Sequence, residues 1–202
     1  MSDARPIGGR DRSLAWLLLL GGAAGFAAAF VLVVEKIALI ADPDYVPSCS
    51  LNPVLSCGSI METDQAELFG FPNPLIGVAA FAILMTTGAA LLAGASLARW
   101  YWIALQVGAV LGLAFVGWLI SQSLYVIGAL CPYCMVVWAV VIPVFFYVTL
   151  RNLAAGAFGA AAACSAVVRV TIEWHAVILL VAFGVVIILI GVEFWSYWST
   201  LI

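Results

Sequence analysis

Charge is what this chain has least of. Only 8% of its 202 residues are charged, as seven Lys/Arg and ten Asp/Glu beside a single His. Soluble domains carry about a quarter charged residues, so the chain is one that lipid, not water, solvates. No Lys or Arg occurs between residues 37 and 98, and there is no basic run or repeat, which excludes the electrostatic footprint of nucleic-acid binding. One histidine and a lone C-x-x-C leave the usual zinc donor sets incomplete, so no metal is expected. No stretch has the polarity of a soluble domain, and no tethered soluble partner is expected in these residues.

Long apolar runs are what the chain has in excess. Hydrophobic residues make up 66% of it, and five runs are long enough to cross roughly 30 Å of hydrocarbon as helices, at residues 14–40, 74–97, 101–127, 132–150 and 176–195. The expected fold is an all-α integral membrane protein, a four-helix transmembrane bundle plus a fifth span. Residues 1–150 form the bundle, with a loop at 41–73, and residues 151–202 form a linker and the last span. The first run outlasts a signal-peptide core, so it is expected to be retained. Arg5, Arg10 and Arg12 precede span one, Arg99 lies between spans two and three, and Arg151 and Arg169 lie between spans four and five. These positions share one side, which the positive-inside rule makes cytoplasmic. The N-terminus is then cytoplasmic, the C-terminus periplasmic, and the acidic loop 41–73 extracytoplasmic.

That loop opens on the turn signal Asp42-Pro43-Asp44, and residues 59–69 read as a short amphipathic helix at the membrane surface. Pro74 suits the first turn of span two. Pro143 predicts a kink in span four. Glu35 and Lys36 read as snorkelling or locally paired, and His175 as interfacial. The stretch 152–166 reads as a linker or helix extension.

Four cysteines carry the chemistry. Cys131-Pro132-Tyr133-Cys134 has the spacing of a dithiol–disulfide switch at the mouth of span four, and Cys49 and Cys57 lie in the loop on the same side. Positions i and i+3 share a helix face, so Cys131 and Cys134 can pair. The unpaired N–H groups of a helix start favour a thiolate at Cys131. Cys131 is expected to exchange with protein thiols, and Cys134, one turn deeper, to face a lipid-soluble acceptor. A mobile Cys49/Cys57 pair would relay a disulfide outward. The competing readings are structural disulfides stapling the loops of a non-catalytic scaffold, and a four-Cys zinc site. Cys164, on the other side, reads as a reduced structural thiol.

The order Asp44-Tyr45, Cys49-x7-Cys57 with Ser56, Phe69-Gly70, Asn73-x3-Gly77 and Cys131-x2-Cys134 resembles the bacterial vitamin K epoxide reductase (VKOR) family over about residues 14–150. The resemblance implies a quinone reductase and protein thiol oxidase, with quinone (menaquinone/vitamin K or ubiquinone) as cofactor, bound inside the bundle near the cysteines. It implies that Cys49, Cys57, Cys131 and Cys134 are catalytic and that Asn73 hydrogen-bonds a quinone carbonyl, although Asn73 also suits a turn. Trp138 stands where animal members place a quinone-contacting tyrosine. Phe69, Phe71, Met135 and Tyr125 are candidates to line the pocket. Bacterial members with a fifth span carry a fused thioredoxin-like domain; these residues include none, which implies a separate thioredoxin-like (DsbA-like) extracytoplasmic partner. A DsbB-like oxidase does the same job, but its quinone-proximal C-x-x-C lies in the first outer loop. Reductive use of the same site is the remaining alternative.

Overall fold

The computed structural model describes residues 9–159 and 166–200; Arg5 and Cys164 lie outside them. The helices are α1 (Gly9–Ala41), α2 (Cys57–Met61), α3 (Pro74–Leu92), α4 (Arg99–Gln122), α5 (Pro132–Ala154), α6 (Ala166–Glu173), α7 (His175–Glu193) and α8 (Trp195–Trp198). Five are long and apolar enough to cross a membrane: Asp11–Ala41, Pro74–Leu92, Arg99–Ile127, Pro132–Ala154 and His175–Glu193. The chain is a multi-pass membrane protein. No strand occurs among the described residues.

Helix ends follow local chemistry. α3 stops before the expected residue 97 because Gly94 takes a left-handed φ of 90°. The N–H of Ala95 then bonds the carbonyl of Ala90, and that of Gly94 the carbonyl of Leu91, closing a Schellman motif. Gly156 (φ 65°) ends α5 the same way, with Ala157 N–H on the carbonyl of Asn152, one turn beyond the expected residue 150. α4 runs into a π-helical turn, Ser123–Ile127, closed by Gly128 at φ 69°. Pro143 is accommodated inside α5. The amphipathic helix expected at 59–69 is two pieces, α2 and a 3-10 turn at Asp64–Glu67. Lys36 Nζ takes the Met61 carbonyl at 2.7 Å, removing an acceptor that a continuing helix would use.

α1 packs between α3 and α5, and α5 packs on α4. Glycines set the α1–α3 distance: a Cβ on Gly22 would lie 2.6 Å from the Met85 backbone nitrogen, and one on Gly88 2.7 Å from the Ala15 carbonyl oxygen. Small residues let membrane helices approach this closely. Leu14, Leu18, Phe81, Val144 and Val148 fill the core shared by α1, α3 and α5. At the end of the bundle away from the cysteines, Asn152 Nδ2 donates to the Trp102 carbonyl (3.0 Å) and Gln106 Oε1 (3.2 Å), and Gln106 Nε2 donates to Thr149 Oγ1 (2.8 Å). This buried knot ties α4 to α5. α3 and α4 make little direct contact beyond the Thr87–Tyr101 hydroxyl pair, and a cavity opens between them. α7 meets the bundle at its cysteine end, where Phe194 is buried with Leu124, Leu130 and Trp138.

Candidate functional site

The cysteine-bearing loop is built by short-range bonds. Asn52 Oδ1 accepts from the N–H groups of Val54 (3.0 Å) and Leu55 (2.8 Å), the local turn that asparagine supplies. Two backbone bonds then clip the loop to the residue before Cys131: Ser56 N–H to the Leu130 carbonyl (2.9 Å) and Leu130 N–H to the Val54 carbonyl (2.7 Å). They form an isolated parallel bridge between Leu55 and Leu130. Ser56 caps α2 by accepting from Ser59 N–H, so Cys57 begins a helix. Cys131 caps α5, with Pro132 in its first turn as expected.

The result is a convergence of sulfurs. Cys49 and Cys57 form a disulfide, while Cys131 and Cys134 are free thiols. Cys131 Sγ lies 3.1 Å from Cys57 Sγ, closer than sulfurs pack without interacting. Cys49, Cys57 and Cys131 are all buried, with their sulfurs within 4.8 Å of one another. Two expectations change here. Cys131 is 1% exposed, so the sulfur within its reach is the disulfide sulfur of Cys57 in its own chain, not a thiol on another protein. The Cys49/Cys57 loop is fastened at both ends of its ring instead of swinging free. Cys131 is held below the ordinary thiol range, chiefly by the hydrogen bond that the Cys134 thiol donates to it; burial opposes this, and backbone N–H groups of Cys134 and Tyr133 add to it.

Glu35 and Lys36 do the fastening, which the sequence reading missed. Glu35, buried at 6% exposure, accepts from Tyr45 Oη (2.8 Å), Ser48 N–H (3.3 Å) and the Ser48 hydroxyl. Ser48 immediately precedes Cys49. The bond to Glu35 raises the Tyr45 phenol above its usual range. Lys36 reaches the other side of the ring, to the Met61 carbonyl and to Glu67 at 2.9 Å. Neighbours in sequence, the two side chains take opposite sides of the disulfide loop. The available signal was an acid inside a membrane helix, which marks a functional role by default.

Below the sulfurs lies a cavity of about 470 Å³ between α3 and α4, in the range of small-molecule sites. Its walls are almost wholly apolar, and Cys57, Cys131, Cys134, Asn73 and Trp138 all face it. Trp138 Nε1 is buried with no hydrogen-bond partner among the described residues. Asn73 serves the loop: Nδ2 donates to the Gln65 carbonyl (2.6 Å) and Oδ1 accepts from Leu68 N–H (3.2 Å). One of its two amide hydrogens has no partner among the described residues. Phe69, Phe71, Met135 and Tyr125 are not in the cavity wall; Phe81 and Phe115 are. Phe69 stacks on Phe71 and tilts against Phe115 at the surface, and Met135 packs with Leu124 and Leu130.

An apolar cavity ending on a dithiol, with an unpartnered indole N–H in its wall, suits a flat, lipid-soluble redox ring. None of the curated proteins compared with the chain matches it. A family model, that of the vitamin K epoxide reductase family, matches residues 16–150, the bundle that holds the four cysteines and the cavity, and the chain therefore belongs to that family.

Proposed function

We propose that the chain is a quinone-dependent thiol oxidase that takes electrons from a thioredoxin-like, DsbA-like extracytoplasmic protein and drives disulfide formation in exported proteins. The observation that carries this is the 3.1 Å approach of Cys57 to Cys131. A scaffold stapled by loop disulfides has no use for a free thiol pressed against a disulfide. Arg99 and Arg151 lie at the helix ends away from the cysteines, which supports a cytoplasmic assignment for that end.

In this reading a donor thiolate attacks Cys49 Sγ. The Cys49–Cys57 bond breaks, a donor–Cys49 disulfide forms and Cys57 leaves as thiolate. The donor's second thiol then displaces Cys49, and the donor departs oxidised. Cys57 next attacks Cys131 of a Cys131–Cys134 disulfide, and Cys134 leaves as thiolate. Cys49 displaces Cys131 from Cys57. The loop disulfide is restored and the C-x-x-C pair is reduced, the state seen in the structure. Each step needs only a thiolate and an accessible disulfide.

Cys134 lines the cavity and passes the two electrons on. A quinone held there (menaquinone or ubiquinone) supplies the electron sink, accepting two electrons and two protons. The Trp138 indole N–H and the uncommitted Asn73 amide hydrogen are the donors for its carbonyl oxygens.

The test is quinone consumption by purified protein given reduced DsbA. Cys→Ala at 49, 57, 131 or 134 is expected to drop turnover to background, and Cys164→Ala to leave it intact. Trp138→Phe is expected to raise the quinone KM about three- to tenfold, the worth of one hydrogen bond near 1 kcal/mol. Full turnover in Cys134→Ala would sink the relay.

A further inference from the structure

We infer that Val46 and Leu51 are the docking anchors for the electron-donating protein, and that the donor presents an apolar collar with a basic rim around its reactive cysteine. This rests on the proposed thiol oxidase reading and adds the surface that selects the donor. Cys49 sits in a tight turn, closed by the Ser50 N–H bond to the Pro47 carbonyl at 2.9 Å. Val46 and Leu51 flank that turn, one on each side, at 71% and 68% exposure, among the most exposed large apolar side chains of the loop. Cys49 retains 5% exposure and Cys57 none. A protein that reaches the loop disulfide therefore meets Cys49 with an apolar side chain on either hand.

The surroundings say what kind of protein fits. Asp42 and Asp44 are exposed just before the turn. Glu62, Asp64 and Glu67 lie farther along the loop, which contains no Lys or Arg, and Lys36 of α1, which reaches it, is committed to Glu67 and the Met61 carbonyl. Anionic lipid headgroups would be repelled by this ring, whereas a basic-rimmed protein would be drawn to it. The fastening of Ser48 to Glu35 keeps the turn in place before the donor arrives, so little ordering entropy opposes docking.

The experiment measures mixed-disulfide formation at Cys49 and needs no quinone. The probe is DsbA with its second active-site cysteine replaced by Ala. Its thiolate attacks Cys49 Sγ, the Cys49–Cys57 bond breaks and Cys57 leaves as thiolate; acid quenching and alkylation fix the product for a gel shift. Dithiothreitol, too small to use the anchors, supplies the reference rate. Val46→Asp with Leu51→Asp is expected to lower the DsbA rate at least about tenfold, as lost apolar burial of this size implies, with the dithiothreitol rate within about twofold. DsbA with lysines around its active cysteine is expected to react faster than a version with glutamates there, and the gap to close at high salt. An unchanged DsbA rate, or a dithiothreitol rate that falls in parallel, overturns the inference. So does a loss seen in lipid nanodiscs but not in detergent, which would place the anchors against lipid. If the parent protein forms the mixed disulfide but consumes no quinone, the thiol oxidase reading fails while the docking surface stands.

Discussion

The hydrogen bond from Cys134 to Cys131 makes a pH experiment specific. Because that donated bond is the main influence lowering Cys131, removing the donor should raise it, and replacing it with a hydroxyl should largely preserve it. In Cys134→Ala or Cys134→Ser protein, Cys131 can still attack Cys57 of the loop disulfide, forming Cys57–Cys131 and freeing Cys49. The rate rises with pH as the Cys131 thiolate forms. The rise is expected at lower pH in the Ser variant than in the Ala variant, where the donated bond that lowers Cys131 is gone and burial acts against the thiolate. Alkylation of the freed Cys49, followed by mass spectrometry across a pH series, reads it. At this scale the spacing of the four cysteines was legible, since it is written directly in the chain. It did not show which sulfur meets which, because the Leu55–Leu130 bridge is made by backbone atoms with no residue signature. The clasp at Glu35 was hidden for a related reason. Its partners Tyr45 and Ser48 come from a loop whose path depends on the disulfide.

Among the elements, α1 and α3 form the most intimate pair, and their spacing depends on glycine. Gly22→Ala and Gly88→Ala each drive a methyl into backbone that has no rotamer to yield. Each is expected to cost about 1–3 kcal/mol, the usual penalty of overpacking, and to lower the unfolding midpoint of the purified protein in detergent. Gly117→Ala in α4, where an added Cβ meets nothing within 4 Å, is the matched control and should leave the midpoint unchanged or slightly raised. Equal behaviour of all three would mean that the α1–α3 seam does not hold the bundle together. Existence and order of the five long helices were legible because a membrane span needs length and apolarity alone. Their ends were less so. Gly94 and Gly156 stop helices by left-handed caps, and apolar residues run on past the first of them. The 59–69 segment misled for a tertiary reason, the donation of Lys36 to Met61 across the loop.

Taken whole, the molecule lines up one row of groups: the turn at Cys49, the disulfide, the Cys57–Cys131 approach, and Cys134 on an apolar cavity between α3 and α4. Adjacent packing of α3 on α1, α1 on α5 and α5 on α4 leaves that cavity between the two outermost helices of the row. Its lining could not be read from the sequence, since apolar residues facing lipid and cavity look alike; Phe81 and Phe115 differ from Phe69 and Phe71 only by where their helices or turns point them. The most direct test of the relay is to leave one loop cysteine and Cys131 as the only redox thiols and time their cross-linking by diamide. Cys49→Ala/Cys134→Ala keeps Cys57 with Cys131; Cys57→Ala/Cys134→Ala keeps Cys49 with Cys131. The first is expected to cross-link at least about tenfold faster, a difference of 1.4 kcal/mol in barrier. Equal rates, or faster cross-linking through Cys49, would contradict the transfer of electrons from Cys57 to Cys131.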